Sequence, residues 1–156
     1  MQAHTFPHAA NSPAEPELAE PSRRACLRAI LRMSGMRPTR QRLDLANCLV
    51  SRDRHVTAEQ LHEEVGAAGQ VMSLATVYNT LRQFQSSGLV HELALEGMRS
   101  VFDTDTSRHH HFYLTDESQI IDIPAHTLAV SDLPGIPEGY EIARVEVVVR
   151  LRRKAV

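Results

Sequence analysis

The order of the hydrophobic periodicities constrains the fold of this chain more than any other feature. Several segments with 3.6-residue apolar spacing come first, and two short stretches of strand-like alternation follow directly. "RPTRQRLDLANCLVS" opens at Pro38 or Thr39 and carries Leu43, Ala46, Leu49 and Val50 at helical spacing. In "VTAEQLHEEVGAAG", Thr57 with Gln60 three residues on forms a capping box, and Gly66 to Gly69 ends the helix. "SLATVYNTLRQFQSSG" is capped by Ser73, striped by Leu74, Val77, Leu81 and Phe84, and stopped by Gly88. "LVHELAL", a turn at Glu96-Gly97 and "RSVFDT" then read as a hairpin. Helices followed by a hairpin make a winged helix-turn-helix. A further helix, capped by Ser22 and ending near Gly35, precedes them with Leu27, Ile30 and Leu31 inward.

The second half changes period. "HHHFYL", "QIIDI" and "YEIARVEVVVRLRRK" read as three strands, the last behind the Pro/Gly-rich link "DLPGIPEGY". In that last strand Val145, Val147, Val149 and Leu151 share one face, while Arg144, Glu146 and Arg150 share the other. About 50 residues with a long apolar-faced strand are short of core, so pairing with a second copy is expected. The predicted fold class is α+β: an N-terminal winged helix-turn-helix domain over residues 22–105 and a small C-terminal α/β dimerisation and sensing domain over 106–156. Residues 1–21, with four prolines and three glutamates, are expected to form a flexible arm.

Composition narrows the function. The chain of 156 residues has no Trp and only 4% aromatics, so its core must be aliphatic. No apolar run suits a signal h-region or a membrane span, which points to a cytoplasmic protein with no membrane partner. The two cysteines, Cys26 and Cys48, form neither a disulfide framework nor a CxxC pair, and both read as apolar helix residues. P-loop, GxSxG and HExxH motifs are absent, which points away from an enzyme.

The net charge of −2 conceals a basic stretch. Residues 22–54 hold nine arginines against Asp44 and Asp53, a surplus of seven positive charges suited to a polyanion. The polar side of the fourth helix carries Thr76, Asn79 and Gln83, flanked by Ser73, Tyr78 and Arg82. Hydroxyls and amides of this kind read base edges in the major groove, and arginine holds phosphate. Ser73, Thr76, Tyr78, Asn79 and Arg82, with Arg40 on the backbone or in the adjacent minor groove, are the expected DNA-binding set. The alternatives are an exposed helix face used for protein contacts and a His-rich metal enzyme.

The combination "RPTRQR…HVTAEQL…SLATVYNTL" followed by a His-rich strand resembles the ferric uptake regulator superfamily over roughly residues 24–153. "SLATVYNTL", "FDTD…HHHFYL" and "EGYEIARVEVVVRLRRK" resemble its iron response regulator branch. That resemblance implies a homodimeric transcription regulator of iron and haem homeostasis that binds a palindromic or pseudo-palindromic operator. It would be active under iron limitation and switched off by haem. A Fur-type repressor dependent on divalent Fe or Mn is the alternative.

The resemblance also implies a regulatory metal site matched here by His55, Asp103, His109, His111 and Asp122. Such an N/O set suits Fe(II), Mn(II) or Zn(II). On a strand, His109 and His111 point one way and His110 the other. The branch further implies haem near His109, His110 and His111. Leu114 and Glu117 stand where relatives carry a structural CxxC, so a structural zinc held by four thiolates is not expected. Arg108 and Ala129 stand at a further metal site of some relatives and suit no ligand role, and Cys26 lacks the Cys-Pro partner of a second haem motif. His62 and His91 read as surface groups, and His126 is left open.

Overall fold

The computed structural model describes residues 20–50, 54–93, 95 and 99–155. Four helices come first: α1 (Glu20–Met33), α2 (Arg40–Leu49), α3 (Ala58–Ala67) and α4 (Leu74–Ser86). They alternate with short strands β1 (His55–Thr57), β2 (His91–Leu93) and β3 (Val101–Asp103), and the chain ends in β4 (His109–Leu114), β5 (Gln119–Pro124) and β6 (Val148–Leu151). The mixed α+β architecture is the one expected. In the second half the helical content among the described residues is one 3-10 turn, Ala125–Thr127. None of the helices described is long and apolar enough to cross a membrane.

Capping chemistry sets most helix boundaries. Thr39 Oγ1 accepts from the Arg42 amide at 3.3 Å, and Ser73 Oγ accepts from the Thr76 amide at 3.1 Å. Thr57 and Gln60 close a reciprocal capping box at 3.2 and 2.9 Å. Gly88 follows α4 at φ +74, a left-handed conformation that glycine adopts without a Cβ penalty. Val77, Leu81 and Phe84 of α4 pack with Leu27 and Leu31 of α1, Leu45 and Leu49 of α2, and Leu61 and Val65 of α3 in one aliphatic core.

Four expectations are corrected. Ser22 lies inside α1 and does not cap it; the helix begins at Glu20, and Pro21 sits in the first turn, where its missing N–H costs nothing. Val50 is 57% exposed because α2 ends at Leu49 and Val50 becomes the C-cap, off the apolar stripe. Cys26 lies on the exposed side of α1, and Cys48 is half-buried against the core. Only Val148–Leu151 of the long last segment pairs as a strand, against His111 to Leu114 of β4; just before it the Val147 amide bonds the His110 ring instead of the β4 backbone. The arm as far as residue 19 and the Glu96-Gly97 turn lie outside the described residues.

Two small sheets position the site. The first has the order β1-β3-β2, all antiparallel, with His55 and His91 both registered opposite Asp103. The second has the order β5-β4-β6, with β5 antiparallel and β6 parallel to β4, and His111 registered opposite Asp122. A cluster of Leu93, Leu95, Val101 and Tyr113, with Ile120 and Val148 against it, joins the two sheets.

Candidate metal centre and nucleic-acid face

Strand geometry brings five polar side chains from four strands to one place. Alternation on β4 turns His109 and His111 to the same face, and Asp122 opposite His111 on β5 shares that face. β3 delivers Asp103, and β1, a strand too short to show a sequence period, delivers His55. Ligand atoms of His55, Asp103, His109 and His111 all lie within 4.8 Å of one another. Asp122 Oδ1 is 3.1 Å from His55 Nε2 and 3.7 Å from Nε2 of both His109 and His111. All five expected metal residues therefore converge.

Their orientation is more informative than their proximity. His109 Nδ1 lies 3.1 Å from the Ser107 carbonyl, which can only accept, so Nδ1 carries a hydrogen and Nε2 is the ring atom turned into the cluster. It faces Asp103 Oδ2 at 2.9 Å. His55 Nε2, Asp103 Oδ2, His109 Nε2 and His111 Nε2 are all buried and lack a hydrogen-bond partner. Buried polar atoms left this way are costly, and a shared cation relieves them together. The carboxylate-to-imidazole separations of 2.9–3.7 Å match those of donors that each lie about 2.0–2.2 Å from one ion. The donor set fits a divalent transition ion.

The electrostatics agree. Burial opposes ionisation of Asp103 and Asp122, yet contact with His111 and the Asp105 amide holds Asp103 below its ordinary pKa. His55 does the same for Asp122, whose side chain is only partly withdrawn from solvent. Burial likewise opposes charge on His55, but Asp122, Asp103 and Asp105 raise its pKa above the ordinary value. Two anionic carboxylates thus stay ionised beside three imidazoles.

The triplet's middle member is placed differently. His110 is buried on the other face of β4, and its Nδ1 accepts from the Val147 amide at 3.3 Å. The rings of His109 and His111 meet edge-on with centroids 4.6 Å apart, which leaves no slot for a porphyrin between them.

Three residues of this neighbourhood escape sequence reasoning. His91, expected at the surface, is half-buried, and its Nε2 lies 2.9 Å from Glu146 Oε2. Glu146, expected on the polar face of a long strand with Arg144 and Arg150, also reaches His111 Nδ1 at 3.2 Å. Asp105 Oδ2 approaches His109 Nδ1 at 3.7 Å. Pairing His91 with Glu146 needs contact across 55 residues, which no local spacing reports. His62, also expected at the surface, has Nε2 2.9 Å from the Met72 carbonyl, whereas His126 is exposed.

On α4, Ser73, Asn79, Arg82 and Gln83 are exposed and Thr76 half-buried. Arg42 already holds Gln83 Oε1 at 2.7 and 3.1 Å. Tyr78 is half-buried and donates to Glu59 Oε1 at 3.1 Å, so its hydroxyl is engaged within the protein. Arg40, at the start of α2, is largely exposed and bonds Gln70 Oε1 at 3.2 Å.

The profile of the Ferric uptake regulator family matches residues 33–149. A peroxide-responsive repressor, PerR, of Staphylococcus aureus is 35% identical over 94 residues, 60% of this chain and 64% of PerR. The chain thus spans just under two thirds of the length of these curated relatives. The ferric uptake regulator of Pseudomonas aeruginosa, solved with manganese, superposes with a TM-score of 0.67 at 26% identity, covering 83% of this chain and 98% of that one. The Vibrio cholerae ferric uptake regulator shares the fold, with a TM-score of 0.64 at 23% identity over 81% of this chain and 98% of its own.

Proposed function

This chain belongs to the ferric uptake regulator family, and we propose that it is a homodimeric transcription regulator whose grip on operator DNA is set by a divalent cation held by His55, Asp103, His109, His111 and Asp122. The observation that carries this reading is the convergence of buried nitrogen and carboxylate atoms with no hydrogen-bond partner. Manganese in the Pseudomonas relative supports Mn(II) or Fe(II) as the ion, and Zn(II) suits the same donors.

A bound divalent ion would supply positive charge that satisfies both carboxylates and the three facing lone pairs at once. The protein does the rest. His55 and Asp103 belong to the sheet beside α3 and α4, whereas His109, His111 and Asp122 belong to the second sheet. Holding them together fixes the angle between a DNA-reading unit over residues 22–105 and a dimerising unit over 106–156. In a dimer that angle sets the separation of the two α4 helices, which must match half-sites about one helical turn apart or a multiple of it. The ion acts only through its preference for one arrangement over the other. Asn79 is the candidate for an adenine edge, Ser73, Thr76 and Tyr78 flank it, and Arg40 and Arg82 meet phosphates. The engaged Tyr78 hydroxyl leaves its ring edge as the part available to a thymine methyl group.

The test is DNA binding by fluorescence anisotropy, using duplexes selected from a random pool, with Mn(II) or with a chelator. Affinity should rise by an order of magnitude or more with Mn(II); equal affinity in both conditions would sink the mechanism. Asn79→Ala should lose about 1–3 kcal/mol on the selected duplex and little on unrelated DNA. Arg82→Ala should instead weaken both and reduce the salt slope by about one.

A finer reading places the chain in the iron response regulator branch, active when iron is scarce and released from DNA by haem. The run His109–His111, with Leu114 and Glu117 in place of thiolates, favours it. Since all three histidines are buried, haem would have to open the β4 surroundings to reach them. A saturable Soret shift that disappears when all three become alanine supports this branch. A shift that is absent or unchanged leaves divalent-metal sensing alone.

A further inference from the structure

The residues around the five-membered cluster do not all serve as donors to it. Glu146 lies in the segment leading into β6, and its two carboxylate oxygens face two different histidines. Oε2 accepts from His91 Nε2 at 2.9 Å, and Oε1 lies 3.2 Å from His111 Nδ1. Both Oε1 and His111 Nδ1 are buried, and neither has a hydrogen bond to any other group. A small rotation pairs them. The neighbouring Val147 locks this segment to β4, since its carbonyl accepts from the His111 amide at 3.0 Å and its amide donates to His110 Nδ1. Glu146 therefore cannot drift far from His111. Its other partner, His91, sits on β2 of the hairpin, registered opposite Asp103.

We propose that Glu146 is a positioning residue for the metal centre: it keeps the hydrogen of His111 on Nδ1 and the Nε2 lone pair on the ion, and through His91 it couples that orientation to the wing. This rests on the metal reading of the cluster. A carboxylate behind a ligating histidine fixes both its tautomer and its ring angle, and loss of such a partner commonly costs 10–100-fold in metal affinity. The link to His91 adds a second consequence. β2 is anchored to the ligand strand through one shared carboxylate, so ordering His111 also restrains the hairpin of the DNA-reading half.

The experiment uses the full chain, with Co(II) as a chromophoric probe titrated against a chelator of known affinity. Wild-type protein should take up one equivalent per chain. Glu146→Ala should bind Co(II) 10–100-fold more weakly, with altered ligand-field bands. Glu146→Gln should recover most of that loss, because its amide oxygen still accepts from His111 Nδ1–H. This rescue separates positioning from a failure to fold. His91→Ala should leave Co(II) affinity near the wild-type value while shrinking the gain in DNA affinity that metal brings. Wild-type protein that binds no Co(II) overturns the metal reading and this proposal together. Wild-type binding that survives Glu146→Ala within about 3-fold, against the 10–100-fold expected, overturns this proposal alone. So does a Glu146→Ala variant that loses a separate second equivalent, which would make Glu146 a ligand. A His91→Ala variant with the full metal-dependent gain overturns the coupling to the wing.

Discussion

Replacing His111 with alanine is expected to weaken divalent-metal binding by at least about 100-fold, since even outer partners of a ligand contribute 10–100-fold. His111 is 1% exposed, and its Nε2 lies 3.4 Å from Asp103 Oδ2 and 3.7 Å from Asp122 Oδ1. Its ring also meets those of His55 and His109 edge-on, with centroids 5.2 and 4.6 Å away. The alanine variant would lose one donor and loosen the two others that lean on it. Thermal unfolding with added Mn(II) gives an independent readout. Metal at 100 times its Kd stabilises the wild-type fold by about 2.7 kcal/mol, and a 100-fold weaker site at the same concentration gains only about 0.4 kcal/mol. Calorimetric titration that finds the variant within 10-fold of wild type would remove His111 from the site.

Phe84→Ala is the largest stability change expected in the helical first half. Phe84 is 1% exposed, sits in the last turns of α4, and packs in the core shared by the four helices. Truncating a buried phenylalanine costs about 3–5 kcal/mol, partly through the cavity it leaves. A domain of this size holds only about 5–15 kcal/mol in total. The urea midpoint should therefore fall sharply, with DNA binding lost as α4 loses its seat. Gln85→Ala, one residue on and exposed, should stay within about 0.5 kcal/mol of wild type. Equal midpoints for the two variants would contradict the packing described.

Much of the first half is legible in the sequence because its signals are local. A cap, an apolar stripe and a glycine stop lie within about fifteen residues of one another, and Thr57 with Gln60 forms its capping box whatever the rest of the chain does. The strand "HHHFYL" is legible for the same reason, and alternation alone separates His110 from its neighbours. The five candidate metal residues come from family resemblance; no spacing along the chain relates His55 to Asp122. β1 leaves no sequence signal because three residues carry no period, and alternation overstates the last strand because it does not say how much of a segment finds a partner.

The amino-acid order by itself determined the helices, the caps of α2, α3 and α4, the hairpin and the face on which each β4 histidine stands. Tertiary structure alone decided that Asp103 meets His55 and His91 across two registers, that Asp122 lies opposite His111, and that Glu146 turns inward. Those outcomes depend on strand pairing between distant segments, where a slip of one residue would send every side chain to the other face. What holds the registers is burial: Leu93, Val101 and Tyr113 must share one apolar cluster, and satisfying that requirement brings the polar atoms together without partners.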